Sequence, residues 1–108
     1  MEGWCVGARP QSNSLIKKPT NILEKYEDKN LIWRKHINER LKREYKKLFG
    51  MLDHFIFMKI PNFNMVFKWR QLQENKLRKK SYLNRKIMSY NEIKRFIMFY
   101  ERITLQMI

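Results

Sequence analysis

Cysteine, alanine, glycine and proline are all scarce in this 108-residue chain: one Cys, one Ala, three Gly and three Pro. A single cysteine, Cys5, excludes a disulfide framework and any all-cysteine zinc site. It fits a reducing compartment, so a cytoplasmic location is expected. The glycines are Gly3, Gly7 and Gly50, and none precedes a Lys-Ser or Lys-Thr pair. That excludes a phosphate-binding G-x-x-x-x-G-K-[ST] loop within these residues. G-x-S-x-G, H-E-x-x-H and Cys-x-x-Cys are also missing. No uncharged apolar run approaches the roughly 20 residues that cross a bilayer, so no membrane partner is expected. Glu2 stands where a secretory leader would carry a basic residue, and no apolar stretch follows it. Acidic residues are few, 10 against 24 Lys plus Arg.

What is present is aromatic, aliphatic and basic. Hydrophobic residues make up 44% and aromatics 14%, too much for a disordered tail and enough for one small core, so a single domain over 1–108 is expected. The net charge of +14 would ordinarily point to nucleic acid or an anionic surface. However, Lys, Ile, Asn, Phe, Met and Tyr, which share AT-rich codons, supply half of the chain, and the charge is discounted accordingly. Nucleic acid is not the expected partner. A small basic nucleic-acid-binding protein using Lys42–Lys47 and Lys76–Lys86 remains an alternative, although few aromatics interleave with those runs to stack on bases.

Along the chain, residues 1–28 read as a short strand end at Glu2–Val6 followed by loop. Residues 29–48 read as one helix, with Asp28 as N-cap and Gly50 just past the end. Trp33, Ile37, Leu41 and Leu48 form its apolar stripe, and Arg34, Lys42, Arg43, Lys46 and Lys47 form a solvated face. Residues 52–60 read as a strand buried on both faces and ended by Pro61. His54 within it has no ligand partners at metal spacing and reads as structural. Residues 62–80 read as a helix entered through Asn62. On its wheel Phe63, Val66, Phe67, Trp69 and Leu77 share a face with Arg70, Gln73 and Glu74, opposite Lys68, Gln71, Asn75 and Lys79. Polar residues on a face due for burial need partners. Either Arg70 and Glu74 pair at i,i+4 inside the domain, or Arg70 meets an anion in a site. Residues 76–86 are basic without an acid and read as a solvated loop. Ser89-Tyr90-Asn91-Glu92 is a capping box that opens a last helix with the stripe Ile93, Phe96, Ile97, Tyr100, Ile103 and Met107.

One strong strand and one strand end do not make a stable sheet. The chain therefore reads as part of a domain, or as an interaction subunit that completes another chain's sheet through residues 52–60. Cys5 as a nucleophile has no histidine near it in sequence and is set aside.

Two groups of residues carry a resemblance. Glu2-Gly3-Trp4-Cys5-Val6-Gly7 opens the chain. Further on come Lys59-Ile60-Pro61-Asn62-Phe63, Trp69-Arg70, Gln73-Glu74, Met88-Ser89, Phe96-Ile97 and Tyr100-Glu101-Arg102. In E-G-W-x-x-G, W-R-x-x-Q-E and M-S-x-x-x-[IV]-x-x-F-[IV]-x-x-Y-E-R the chain resembles the C-terminal part of the D-glycerate 3-kinase family, the uridine-kinase-like P-loop kinases. The resemblance implies an α/β fold: the C-terminal part of a P-loop parallel-sheet domain, mostly helical here with one or two strands. It implies a separately encoded or missing N-terminal half that carries the phosphate-binding loop. ATP and Mg²⁺ would be the cofactors and D-glycerate or a similar alcohol the substrate, converted to 3-phosphoglycerate. It also implies that the chain is inactive alone. By the same resemblance Glu2 would bind Mg²⁺ or assist proton removal, and Arg70 would neutralise the transferred phosphoryl group. Gln73, Glu74, Lys76 and Arg78 would line the nucleotide side.

Overall fold

The computed structural model describes residues 1–80 and 87–108. Among them are six helices: α1 (Asn13–Lys17), α2 (Ile22–Glu27), α3 (Ile32–Lys42), α4 (Glu44–Gly50), α5 (Asn64–Lys80) and α6 (Tyr90–Met107). The long α6 packs on both α5 and α2, and α4 follows α3 directly through Arg43.

The expected α/β sheet is overturned: no strand occurs among the described residues. The Glu2–Val6 segment forms tight turns instead of a strand end. The Val6 N–H donates to Gly3 O at 3.4 Å and the Ala8 N–H to Cys5 O at 3.0 Å. Residues 53–60 have no helix and no ladder. Their apolar, β-branched and aromatic composition favours strand, but a strand needs a neighbour for its N–H and C=O groups, and the described residues offer none. Ile56 and Met58 are consequently 89% and 86% exposed. Phe55 leans the other way, onto Gly7, which has φ +87°; a Cβ there would meet the ring at 2.7 Å. A glycine is required at that position both by its backbone and by this approach.

The single helix expected over 29–48 is two helices. The break falls at Arg43, at φ −109° and ψ −88°, whose N–H is shared between the Glu39 and Arg40 carbonyls. Gly50 closes α4 rather than following it. Asp28 does serve the start of α3, from beyond the usual cap position. Its carboxylate accepts from the Trp33 and Arg34 N–H groups at 3.0 and 3.1 Å, while Leu31 makes the turn in the left-handed region at φ 63°. The wheel of α3 is also rotated from expectation. Arg34, Asn38 and Leu41 are buried, and Trp33 and Leu48 are exposed. The stretch of 1–28 read as loop contains α1 and α2.

Helix α5 begins two residues after Asn62, whose side chain accepts from the Met65 N–H at 3.3 Å. Lys76–Lys80 belong to α5 rather than to a loop, and the rest of the 76–86 basic run lies outside the described residues. The capping box at α6 forms as expected, with the Ser89 hydroxyl and the Glu92 carboxylate each accepting from the other residue's N–H. Ile93 and Ile97 are the buried pair of its stripe. The apolar core is small: Ala8, Ile16, Leu23, Leu41, Ile93 and Ile97. Among the described residues, Glu24, Arg34, Asn38 and Glu74 are the polar side chains enclosed with it.

Candidate functional site

The segments that carry the resemblance meet in one place. The Trp4 ring lies edge-on to Tyr100 at 4.9 Å, Tyr100 contacts Phe96 at 5.2 Å, and the Arg70 guanidinium lies 5.3 Å from the Phe96 ring centre. Arg70 donates to Glu74 at 2.7 Å and to Gln73 at 2.7 Å. Glu74 in turn accepts from the Met88 N–H at 3.2 Å, which ties α5 to the start of α6. Only 3% of Glu74 is exposed. The i,i+4 pairing of Arg70 with Glu74 is thus present, and it satisfies a buried carboxylate with a guanidinium and a backbone donor. The Arg70 side chain is 29% exposed, and its Nε is enclosed with no partner among the described residues.

A second polar centre lies between α2 and α6. Arg102 grips Glu24 with two parallel bonds of 2.8 and 2.7 Å. It also donates to Gln11 Oε1 at 3.0 Å and to the Leu15 and Lys18 carbonyls at 3.2 and 2.6 Å. All five donors of the fork are therefore occupied. Burial pushes the Glu24 carboxyl up, but the Arg102 bonds, the Thr20 N–H and the charges of Arg102 and Arg34 together outweigh it and hold it below the ordinary value. Asn21 accepts from the Glu24 N–H at 3.0 Å and donates to Met98 O and to Glu101 at 3.0 and 2.8 Å. Glu101 and Arg102 of the Y-E-R pattern are thus both engaged with α2.

Arg34, only 4% exposed, donates to the Asp28 carboxylate at 3.0 Å, the Asp28 carbonyl at 2.6 Å and the Ile16 carbonyl at 2.9 Å. Burial raises the Asp28 carboxyl, and the Trp33 N–H with the Arg34 side chain and N–H more than reverse this. Asn38 makes a two-way bridge to the Gln11 backbone at 2.8 and 2.9 Å. Between these groups and the rings of Trp4, Trp33, Phe96, Phe99 and Tyr100 lies a cavity of about 370 Å³.

Of the residues singled out from sequence, Arg70, Gln73 and Glu74 come together, and Gln73 serves Arg70 from the exposed side. Glu2, Lys76 and Arg78 are exposed and show no hydrogen bond or ion pair among the described residues. His54 is exposed, so it is not a buried structural histidine. Burial pushes the Cys5 thiol up, which works against a nucleophilic thiolate. Sequence reasoning passed over Glu24, Asn38 and Gln106, and placed Arg34 on a solvated face although it is buried. The N-x-x-E spacing of Asn21 and Glu24 marks a cap, and nothing local marks the Arg102 partner 78 positions away.

The donor set does not by itself fit Mg²⁺ and ATP. No group of three or more His, Cys, Asp or Glu is close enough to hold a metal among the described residues, and Glu2 stands alone. The Arg70 charge is already matched by Glu74. No helix among the described residues is long and apolar enough to cross a membrane. Comparison with protein-family models, with curated proteins and with solved structures finds no match for this chain.

Proposed function

We infer that this chain is a helical, non-catalytic portion of a cytoplasmic ATP-dependent small-molecule kinase acting on D-glycerate or a similar alcohol, and that it is inactive alone. One observation carries the reading: the three sequence patterns that resemble that family converge, through Trp4–Tyr100, Phe96–Arg70 and Glu74–Met88. Patterns far apart in sequence that meet in space are what a shared architecture would leave behind. In this reading the phosphate-binding loop and its lysine belong to residues outside the chain, since phosphoryl transfer depends on that loop for positioning and charge stabilisation. Arg70 and Glu74 join α5 to α6 and set where α5 presents its exposed side.

The test is a chimera in which residues 1–108 replace the matching C-terminal segment of an active D-glycerate 3-kinase. Glycerate-dependent ADP release by the chimera, and none by the 108-residue chain alone, is the expected result. A chimera that fails to fold, or folds and stays inactive, would overturn the reading, because it requires these helices to fit that enzyme.

A further inference from the structure

Residues 54–60 carry the composition of a strand without its ladder: among the described residues, none of their N–H or C=O groups has a backbone partner. The Phe55 and Phe57 rings are stacked, 6.4 Å apart and 14° from parallel, and Phe55 rests on Gly7. Alternate residues on one face of a strand stand roughly 6–7 Å apart, so this spacing already suits a strand. Ile56 and Met58, the other alternate pair, are almost fully exposed. Unpaired backbone beside exposed apolar side chains is a template for another strand. The chain also exposes roughly 2,400 Å² more than a compact chain of its mass, and a stable interface takes about 800 Å² from each partner.

Two charges choose the partner. Asp53 and Lys59 flank the apolar stretch, each three residues from Ile56, and both are exposed with no ion pair among the described residues. When two copies run antiparallel with Ile56 opposite Ile56, Asp53 of each faces Lys59 of the other, and Phe55 faces Phe57. Centred on Phe57 instead, Lys59 would face Phe55 and Asp53 would face Pro61. A parallel pair in register would set Asp53 beside Asp53 and Lys59 beside Lys59, which is unfavourable. The segment is therefore complementary to itself in one direction and one register. Pro61, which has no N–H to give, lies beyond the last charged pair. We propose that this chain forms a two-fold dimer in which residues 53–59 of two copies pair as an antiparallel ribbon centred on Ile56. A two-stranded ribbon by itself is marginal in water, and here the Phe55 ring of each strand has Gly7 of its own chain behind it. The contact uses the same surface on both copies and so closes at two. It does not rest on the kinase reading, and its failure leaves the chimera test untouched.

Sedimentation equilibrium of the unaltered chain should fit monomer and dimer alone. Asp53→Lys and Lys59→Asp should each weaken the dimer roughly tenfold or more, because each sets two like-charged pairs across the ribbon. The double exchange, Asp53→Lys with Lys59→Asp, should restore it to within a few-fold. Net charge alone predicts otherwise, since Lys59→Asp lowers the positive charge and would then tighten the dimer. In a chain carrying Cys5→Ser, mild oxidation should link Ile56→Cys into disulfide dimers. Met58→Cys should stay unlinked, since the two copies of residue 58 stand roughly 13 Å apart along the ribbon, beyond disulfide reach. The proposal is overturned by a chain that stays monomeric at millimolar concentration, by association that runs past the dimer, by a double exchange that fails to restore it, or by Met58→Cys linking as readily as Ile56→Cys. The stoichiometry of the unaltered chain decides even where a variant fails to fold.

Discussion

Arg102 and Glu24 form an ion pair enclosed by protein, and enclosure makes the pair sensitive to losing either member. Arg102→Leu leaves the Glu24 carboxylate buried with the Thr20 N–H and no cation in contact, a loss of about 3–5 kcal/mol. In a chain with so small a core this should abolish cooperative unfolding by circular dichroism. The same pair sets a pH dependence. Glu24 and Asp28 both lie below their ordinary values in the folded chain. Their contribution is therefore complete above the unfolded carboxylate values, near pH 4, and is lost as pH falls below them. The melting temperature should fall between about pH 5 and pH 3, and Glu24→Gln should flatten that fall. Arg70 differs in kind. Its fork serves Glu74 and Gln73 while its central carbon lies over the Phe96 ring, and a lysine can do only one of these. Arg70→Lys should cost about 1–2 kcal/mol in urea unfolding and leave turnover per folded chimera within a few-fold.

Among the elements, α6 was the most legible in sequence, because its cap and its stripe are local signals. Ser89→Ala removes the hydroxyl that accepts from Glu92, and should cost about 1 kcal/mol by chemical denaturation with no change in aromatic contacts. Helix α3 was legible as a helix and illegible as a face. Its wheel puts Arg34 outside the apolar stripe, and only the distant Ile16 carbonyl and the turn at Asp28 explain why that side is buried. Helices α1 and α2 are five and six residues long and carry no periodicity to read. They are held by long-range bonds such as Asn21 to Met98. Residues 52–60 show the opposite failure: a strong local preference for strand with no partner among the described residues to realise it. At the site, Arg70 and Glu74 were legible because they lie on one helix. Glu24 with Arg102 was not, because its two halves lie far apart in the chain.

For the whole molecule, surface area reports how little is closed. A compact chain of this mass exposes roughly 6,500 Å²; this one exposes 8886 Å². Its radius of gyration is 16.1 Å, against about 13 Å for a compact domain of this length. Apolar side chains on 53–60 contribute visibly to the excess. The chain should therefore self-associate with rising concentration in sedimentation experiments. Ile56→Lys with Met58→Lys should suppress that association while shifting stability by no more than about 0.5 kcal/mol, because neither side chain is packed.

The clip of Phe55 onto Gly7 has a consequence for the lifetime of the chain. Endoproteases accept polypeptide in an extended, unladdered form, and most folded proteins must first open locally to offer one. Here residues 54–60 already lack helix and ladder, with aromatic side chains at Phe55 and Phe57 and the Phe55 ring seated against Gly7. Turnover would then be governed by this one stretch rather than by global unfolding. Brief digestion with chymotrypsin under native conditions should give a first cut at Phe55 or Phe57, at a rate that does not change when the rest of the fold is stabilised. A first cut within α6 would show instead that the helices open before this stretch is reached.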